Sequence, residues 1–264
     1  MTEDIQRATM GDGCGIAYRF DGPEDAPVLL LSNSLGSTMD MWAPQVEPLS
    51  RHFRLLRYDS RGHGRSDVPQ GTYSLDRLGR DVVELLDALG LERVHYCGVS
   101  KGGMVGQWLG YRAPERIDRL ILSNTSAYMG PPSGWDARIA AVRTGGMAAL
   151  ADAVIERWFT PAFRQPDNEV FANARAMILA TDPAGYAGCC AAIRDMDLRP
   201  TAPLISRPTL VIAGTEDPAT PPSDGEAITS VVPGARLATL PAAHLSNLER
   251  PDDYCAILLD FLRP

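Results

Sequence analysis

The stretch Gly98-Val99-Ser100-Lys101-Gly102 constrains this chain more than any other. Before it, Arg93-Val94-His95-Tyr96-Cys97 reads as a buried strand. After it, Gly103-Met104-Val105-Gly106-Gln107-Trp108-Leu109 reads as a helix with an apolar face. A serine on so sharp a strand-to-helix turn has strained backbone angles, and its hydroxyl stands above the edge of a sheet. Gly98 and Gly102 are needed because a side chain at either would collide with the neighbouring strand or helix. The Lys101 backbone N–H opens that helix, where a developing oxyanion is stabilised. A bare G-x-S-x-G is common; the strand and helix around this one make Ser100 a candidate nucleophile.

The rest of the chain supplies the sheet that such a turn requires. Strand signals fall at residues 14–20, 28–32, 53–58, 119–124, 209–213 and 235–240. The continuous apolar run Val28-Leu29-Leu30-Leu31-Ser32 is what a central parallel strand needs. Helix signals fall at 39–50, at 74–89 with Ser74 as cap and Gly90 as stop, and at 253–262. The alternation breaks between Gly130 and Leu204. There, helical segments at 139–142, 147–159, 169–180 and 186–193 are punctuated by Pro161, Pro166 and Pro183. The expected class is therefore α/β, a mostly parallel central sheet flanked by helices. Residues 1–129 and 205–264 form its core, and a helical cap, 130–204, is inserted before the last two strands. With 264 residues the chain is long enough to bury such a core.

A serine hydroxyl needs a base. Of the four histidines, His52 starts a strand and His95 lies inside one. His63, with Asp59, belongs to the Gly-rich loop Asp59–Ser66, which precedes Ser100 and reads as structural, its charged residues pairing with one another. His244 follows the last strand, at the edge where ligands of such sheets bind. Asp217 follows the strand before it and is the expected acid, with Glu216 next to it pointing the other way. The alternative acid position, after the strand ending at Asn124, offers no carboxylate. Ser100, Asp217 and His244 thus come from three loops in the chain order of a serine triad. The loop Asn33-Ser34-Leu35-Gly36 brings a second oxyanion donor, assigned to the Leu35 N–H beside that of Lys101.

Net charge is −8 and no basic block exists, which argues against nucleic acid and anionic membranes as partners. Five scattered cysteines without metal spacing read as reduced thiols in a cytoplasmic protein, and no cofactor or metal is expected. Gly11-Asp12-Gly13-Cys14-Gly15 lacks the preceding strand and following helix of a dinucleotide loop. Met1–Met10 is polar, without the apolar core of a signal segment, and no apolar run reaches membrane-spanning length.

Several stretches carry a family resemblance: Leu31-Ser32-Asn33-Ser34-Leu35-Gly36, Met41-Trp42-Ala43-Pro44-Gln45, Arg57-Tyr58-Asp59-Ser60-Arg61-Gly62-His63-Gly64, Arg157-Trp158-Phe159-Thr160, Asp197-Leu198-Arg199, Ala213–Pro221 and Ala243-His244-Leu245-Ser246-Asn247-Leu248-Glu249. On these the chain resembles the α/β-hydrolases, and within them the 3-oxoadipate enol-lactonases of the β-ketoadipate pathway. The resemblance implies that a serine ester forms on Ser100 during opening of a small anionic enol-lactone, or, as the alternative, of another lactone or a general carboxylic ester. Two departures concern the substrate carboxylate. The family usually carries Met where Lys101 stands, and often a basic residue where Tyr128 stands. Lys101, or a cap arginine such as Arg138, is expected to supply the missing charge; otherwise Lys101 points to solvent. Trp135 is expected as a pocket wall, with Tyr128 and Arg138 as its neighbours on the substrate.

Overall fold

A computed structural model describes residues 5–165 and 167–263. Pro166, expected as a helix break, lies outside the described residues, as do the first four residues of the polar N-terminal segment and Pro264. Eight strands form one sheet: β1 (Gln6–Thr9), β2 (Gly15–Asp21), β3 (Val28–Ser32), β4 (Arg54–Tyr58), β5 (Val94–Val99), β6 (Ile117–Ser123), β7 (Thr209–Gly214) and β8 (Arg236–Leu240). Their order is β1-β2-β4-β3-β5-β6-β7-β8. From β4 to β8 every pairing is parallel, while β1 and β2 are antiparallel additions at one edge. Parallel pairing demands crossovers, and the crossovers bury the strands on both faces. Accordingly every residue of β5 and β7 is buried.

Helices α1 (Ala43–Ser50), α2 (Leu75–Ala88) and α3 (Lys101–Arg112) precede the break in alternation. The Ser74 hydroxyl accepts from the Arg77 amide at 3.1 Å and so starts α2 where expected. Four further helices lie between β6 and β7: α4 (Pro132–Gly145), α5 (Ala151–Trp158), α6 (Glu169–Ala180) and α7 (Pro183–Asp195). After β7 come α8 (Pro222–Val231), then α9 (Ser246–Glu249) and α10 (Pro251–Leu262). Neighbouring residues of β5 point to opposite faces. Tyr96 reaches α3, its hydroxyl donating to the Gly102 carbonyl, while Cys97 meets the Tyr254 hydroxyl on α10. The two helical layers are thereby fixed on opposite sides of the sheet.

Pro183 does not break a helix; it begins one. It occupies the first position of α7, and the Asp182 carboxylate caps the amides of Ala184 and Gly185 at 2.8 and 3.0 Å. Helix α7 is built of small residues and is buried from Gly185 to Ile193. Its Gly185 backbone lies directly against Gly62, and its Gly188 carbonyl accepts from the Tyr73 amide at 3.1 Å. Larger side chains would push this helix off the core, which explains the composition. Apolar contacts run without interruption from the sheet into the four inserted helices. Among the described residues no single helix is long and apolar enough to cross a membrane.

Candidate active site

Ser100 sits between β5 and α3 with φ 57° and ψ −115°. A non-glycine residue at positive φ costs of order 1–3 kcal/mol and persists only where its surroundings enforce it. Here the Ser100 amide donates to the Ser123 carbonyl at 2.9 Å, and the Thr125 hydroxyl donates to the Ser100 carbonyl at 2.8 Å. A Cβ on Gly98 would collide with the Gly102 carbonyl, and one on Gly102 with the Ser32 carbonyl. Both obstacles are backbone, which cannot step aside. Gly98→Ala should therefore lower stability by about 3 kcal/mol, read as a shifted urea midpoint at unchanged slope; an unmoved midpoint would contradict the packing argument.

His244 lies in the loop after β8, and its Nδ1 is 2.8 Å from Asp217 Oδ2. Both side chains are buried. Asp217 accepts a dense set of bonds: Oδ2 from Asn124 Nδ2 at 3.0 Å and the Thr220 hydroxyl at 2.8 Å, and Oδ1 from the amides of Ala219 and Thr220 at 2.8 and 3.0 Å. Burial works to raise its pKa. The His244 charge and hydrogen bond, with Asn124 and the Thr220 amide, outweigh it and bring the carboxyl down to about 2. Glu216 is exposed, as expected for the neighbour of an inward-facing acid.

Asn124 was not foreseen as a site residue. It occupies the last turn of chain beyond β6 at φ 45°, and its amide group bridges Asp217 to the Ala243 carbonyl, at 3.2 Å, beside His244. Its only signal was position, the first polar side chain past a strand's C-terminal end.

Ser34, Leu35, Ser100 and His244 border one cavity of about 200 Å³. Leu35 lines it, and no turn, loop or side-chain hydrogen bond among the described residues engages the Leu35 or Lys101 amide. The opposite wall comes from the inserted helices and includes Trp135, Arg138, Arg157, Trp158 and Tyr186. Trp135 thus lies where expected, and the Arg138 guanidinium stands 4.7 Å over its ring. Arg157 was not foreseen as a pocket residue, although its stretch was part of the resemblance. No acidic residue lines the cavity, and neither arginine has a carboxylate at ion-pair distance among the described residues. Burial, then repulsion from Arg138, pushes the Arg157 pKa down. Two half-buried like charges thus line one cavity that has no carboxylate among its lining residues.

Two expectations are corrected. Tyr128 is not among the cavity residues; its ring is 37% exposed and lies under Arg199, whose guanidinium is 4.0 Å away. Nor does the Lys101 side chain reach the cavity or solvent. It is 1% exposed, and Nζ donates to the Ser60 hydroxyl at 2.7 Å. A side chain on the first turn of α3 runs back beneath the Asp59–Ser66 loop rather than up toward the nucleophile. Burial lowers its pKa, and no carboxylate is within ion-pair distance among the described residues. A buried ammonium with so little compensation is costly. Lys101→Met should raise stability by about 1–3 kcal/mol, measured as an increased thermal or urea midpoint; a decreased midpoint would show that the ammonium is net stabilising.

Asp59 keeps the expected pairing within its loop, its Oδ2 lying 3.9 Å from the Arg65 guanidinium. Its carboxylate accepts from the Met39 amide at 2.7 Å and the Arg65 amide at 2.9 Å, whereas His63 turns to a different loop. Among the described residues no group of three or more His, Cys, Asp or Glu side chains could hold a metal ion.

Sheet order, serine turn and residue placement together match a known pattern. A family model described as "alpha/beta hydrolase fold" covers residues 27–251. The chain belongs to the α/β-hydrolase family. This α/β-hydrolase is 39% identical over 237 residues to 3-oxoadipate enol-lactonase 2 of Acinetobacter baylyi, covering 90% of this chain and 89% of the relative. It is 33% identical over 247 residues to a candidate carbamate hydrolase, RutD, of Agrobacterium fabrum, covering 91% and 94%. The crystal structure of the enol-lactonase from Burkholderia xenovorans LB400 superposes with a TM-score of 0.95 at 46% identity, covering 97% of this chain and 99% of that one. This α/β-hydrolase is an enzyme, a carboxylic ester hydrolase similar to the enol-lactonases.

Proposed function

We propose that the enzyme opens a small anionic lactone, 3-oxoadipate enol-lactone, to 3-oxoadipate. One observation carries the substrate class: Ser100 and His244 share a small cavity with Arg138 and Arg157, which have no acidic partner there. An anion on the substrate would answer both guanidiniums by charge-assisted hydrogen bonds and hold the lactone ring over the serine.

On this reading the ring opens through a serine ester. Ser100 Oγ attacks the lactone carbonyl carbon while His244 takes its proton through Nε2. Asp217 holds Nδ1–H and stabilises the imidazolium. The Leu35 and Lys101 amides receive the negative oxygen. The ring C–O bond breaks, His244 protonates the departing enol oxygen, and the enol tautomerises to the ketone. It cannot diffuse off, because it remains joined to the acyl group. Water, deprotonated by His244, next attacks the serine ester and releases a second carboxylate. Residues 130–204 act as a cap that limits water around these steps. The substrate is small, and this chemistry calls on neither nucleic acid nor membrane.

The test is kcat/KM on 3-oxoadipate enol-lactone beside p-nitrophenyl acetate, with Ser100→Ala as control. Strong preference for the enol-lactone, lost in the variant, supports the reading. Ester turnover with little lactone activity would replace it with a general carboxylesterase using the same Ser100, Asp217 and His244.

A further inference from the structure

His63 is a deeply buried titratable group that the reaction above does not use. It is 1% exposed, in the loop that follows β4. Its Nε2 lies 2.9 Å from the amide nitrogen of Gly36, an N–H that can only donate. Nε2 must therefore be unprotonated, and the ring proton sits on Nδ1, which faces the Arg61 carbonyl at 3.3 Å and the Cys189 sulfur at 3.9 Å. Gly36 is the residue after Leu35, so the bond ends one peptide unit from the amide assigned to the oxyanion. The peptide units on either side are held as well. The Gly36 carbonyl accepts from the Thr181 hydroxyl at 3.2 Å, and the Ser34 carbonyl accepts from the Ser37 hydroxyl at 2.9 Å. Gly36 itself is at φ +79°, and a Cβ there would collide with Ile178. The loop has no slack of its own once these bonds are made, and His63 supplies the one that fixes the amide next to Leu35.

We propose that His63 is a positioning residue for ester hydrolysis: as a neutral acceptor it clamps the Gly36 amide and so aims the adjacent Leu35 N–H at the oxyanion. The proposal rests on the Ser100 reading above. A protonated imidazole would face N–H with N–H and release the clamp. Burial and the Lys101 ammonium both oppose that proton, while the Arg61 carbonyl favours it only weakly, and the His63 pKa falls to about 3. Lys101 thereby bears on both sides of the oxyanion: its amide is the other proposed donor, and its ammonium adds to the burial that keeps the His63 ring neutral.

Two amide replacements separate this role from mere filling of space. In His63→Gln, Oε1 reaches about as far as Nε2 and can accept from Gly36. In His63→Asn the polar atoms stop near Nδ1, keep a donor for the Arg61 carbonyl and fall short of Gly36. On p-nitrophenyl acetate, His63→Gln is expected within about fivefold of wild-type kcat, and His63→Asn to lose roughly 10–100-fold in kcat with KM within about twofold. Inhibition by a boronic acid, which forms a tetrahedral adduct on the serine, should weaken by the same factor in His63→Asn. Equal kcat in the two variants, or a loss confined to KM, would overturn the proposal. So would Nε2 protonation in wild-type protein labelled with 15N-histidine, a result independent of how the variants fold. Wild-type turnover that survives Ser100→Ala would instead remove the underlying reading; turnover abolished by that change while Gln and Asn behave alike removes only the role of His63.

Discussion

Asp217→Asn should lower kcat by roughly 10⁴ on any ester the enzyme accepts, with KM changed far less. The expectation comes from the direction of every bond around this carboxylate. Oδ2 receives donors from His244, Asn124 and Thr220, and Oδ1 receives two backbone amides. An asparagine must place its NH2 at one of these positions. At Oδ2 it faces His244 Nδ1 and forces the wrong tautomer, leaving Nε2 protonated and unable to take the serine proton. At Oδ1 it sets a donor against two N–H groups that have nowhere else to go. Either orientation leaves buried donors unmatched, so a stability loss of about 1–3 kcal/mol should accompany the kinetic one. Kinetics at a temperature well below the variant's midpoint separates the two. A kcat within tenfold of wild type would mean that His244 does not depend on Asp217. The acid limb of stability carries the same group. Its folded pKa, about 2, lies below the ordinary 3.8. Its contribution is therefore complete above about pH 4 and is lost as pH falls through about 2.

Removing the cap charges should change selectivity, where removing the acid changes rate. Arg138→Ala and Arg157→Ala are each expected to lower the ratio of kcat/KM on the enol-lactone to that on p-nitrophenyl acetate by roughly 10–100-fold. That is the size of one or more hydrogen bonds to a charged group, about 1.5–3 kcal/mol. The two losses should not add. Arg138 pushes the Arg157 pKa down, so deleting either relieves a repulsion felt by the other. In the double variant the ratio should fall by more than the product of the single effects, because each single loss is cushioned by the arginine that remains. A ratio unchanged in both single variants would show that the substrate anion binds elsewhere or is absent.

How much of this was legible beforehand depended on what kind of signal each residue leaves. Ser100 was legible because its two glycines and flanking apolar runs encode a backbone shape. Asp217 and His244 were legible because each follows a strand, and strand order reports position in space. Strand β1 left almost no trace: Gln6–Thr9 is an exposed edge with polar residues, so the alternation that betrays a half-buried strand is missing. Helix α8 was likewise invisible, since it buries only Gly225 and Ile228. Asn124 carries no titratable chemistry, and only its contacts reveal it. The fate of the Lys101 side chain was decided by which way the first turn of α3 faces, a tertiary fact that spacing cannot supply. Tyr128 and Arg157 exchanged places for the same reason: one belongs to a loop that turns outward, the other to a helix that turns in.

The small-residue helix α7 has a consequence for descent. It touches the loops of the machinery itself, with Gly185 on Gly62 and Gly188 on Tyr73, and its side chains have no room to grow. Helices α4 and α5, which present Trp135, Arg138 and Arg157, meet the cavity from the far wall and carry exposed positions on their outer sides. Mutation therefore falls on two unequal halves of one roof. On the proposed reading, drift in α4 and α5 would change which substrate is welcomed while the Ser100 turn stays intact, whereas drift in α7 would cost folding stability. Related enzymes that part ways over substrate should diverge first along α4 and α5 and last along α7.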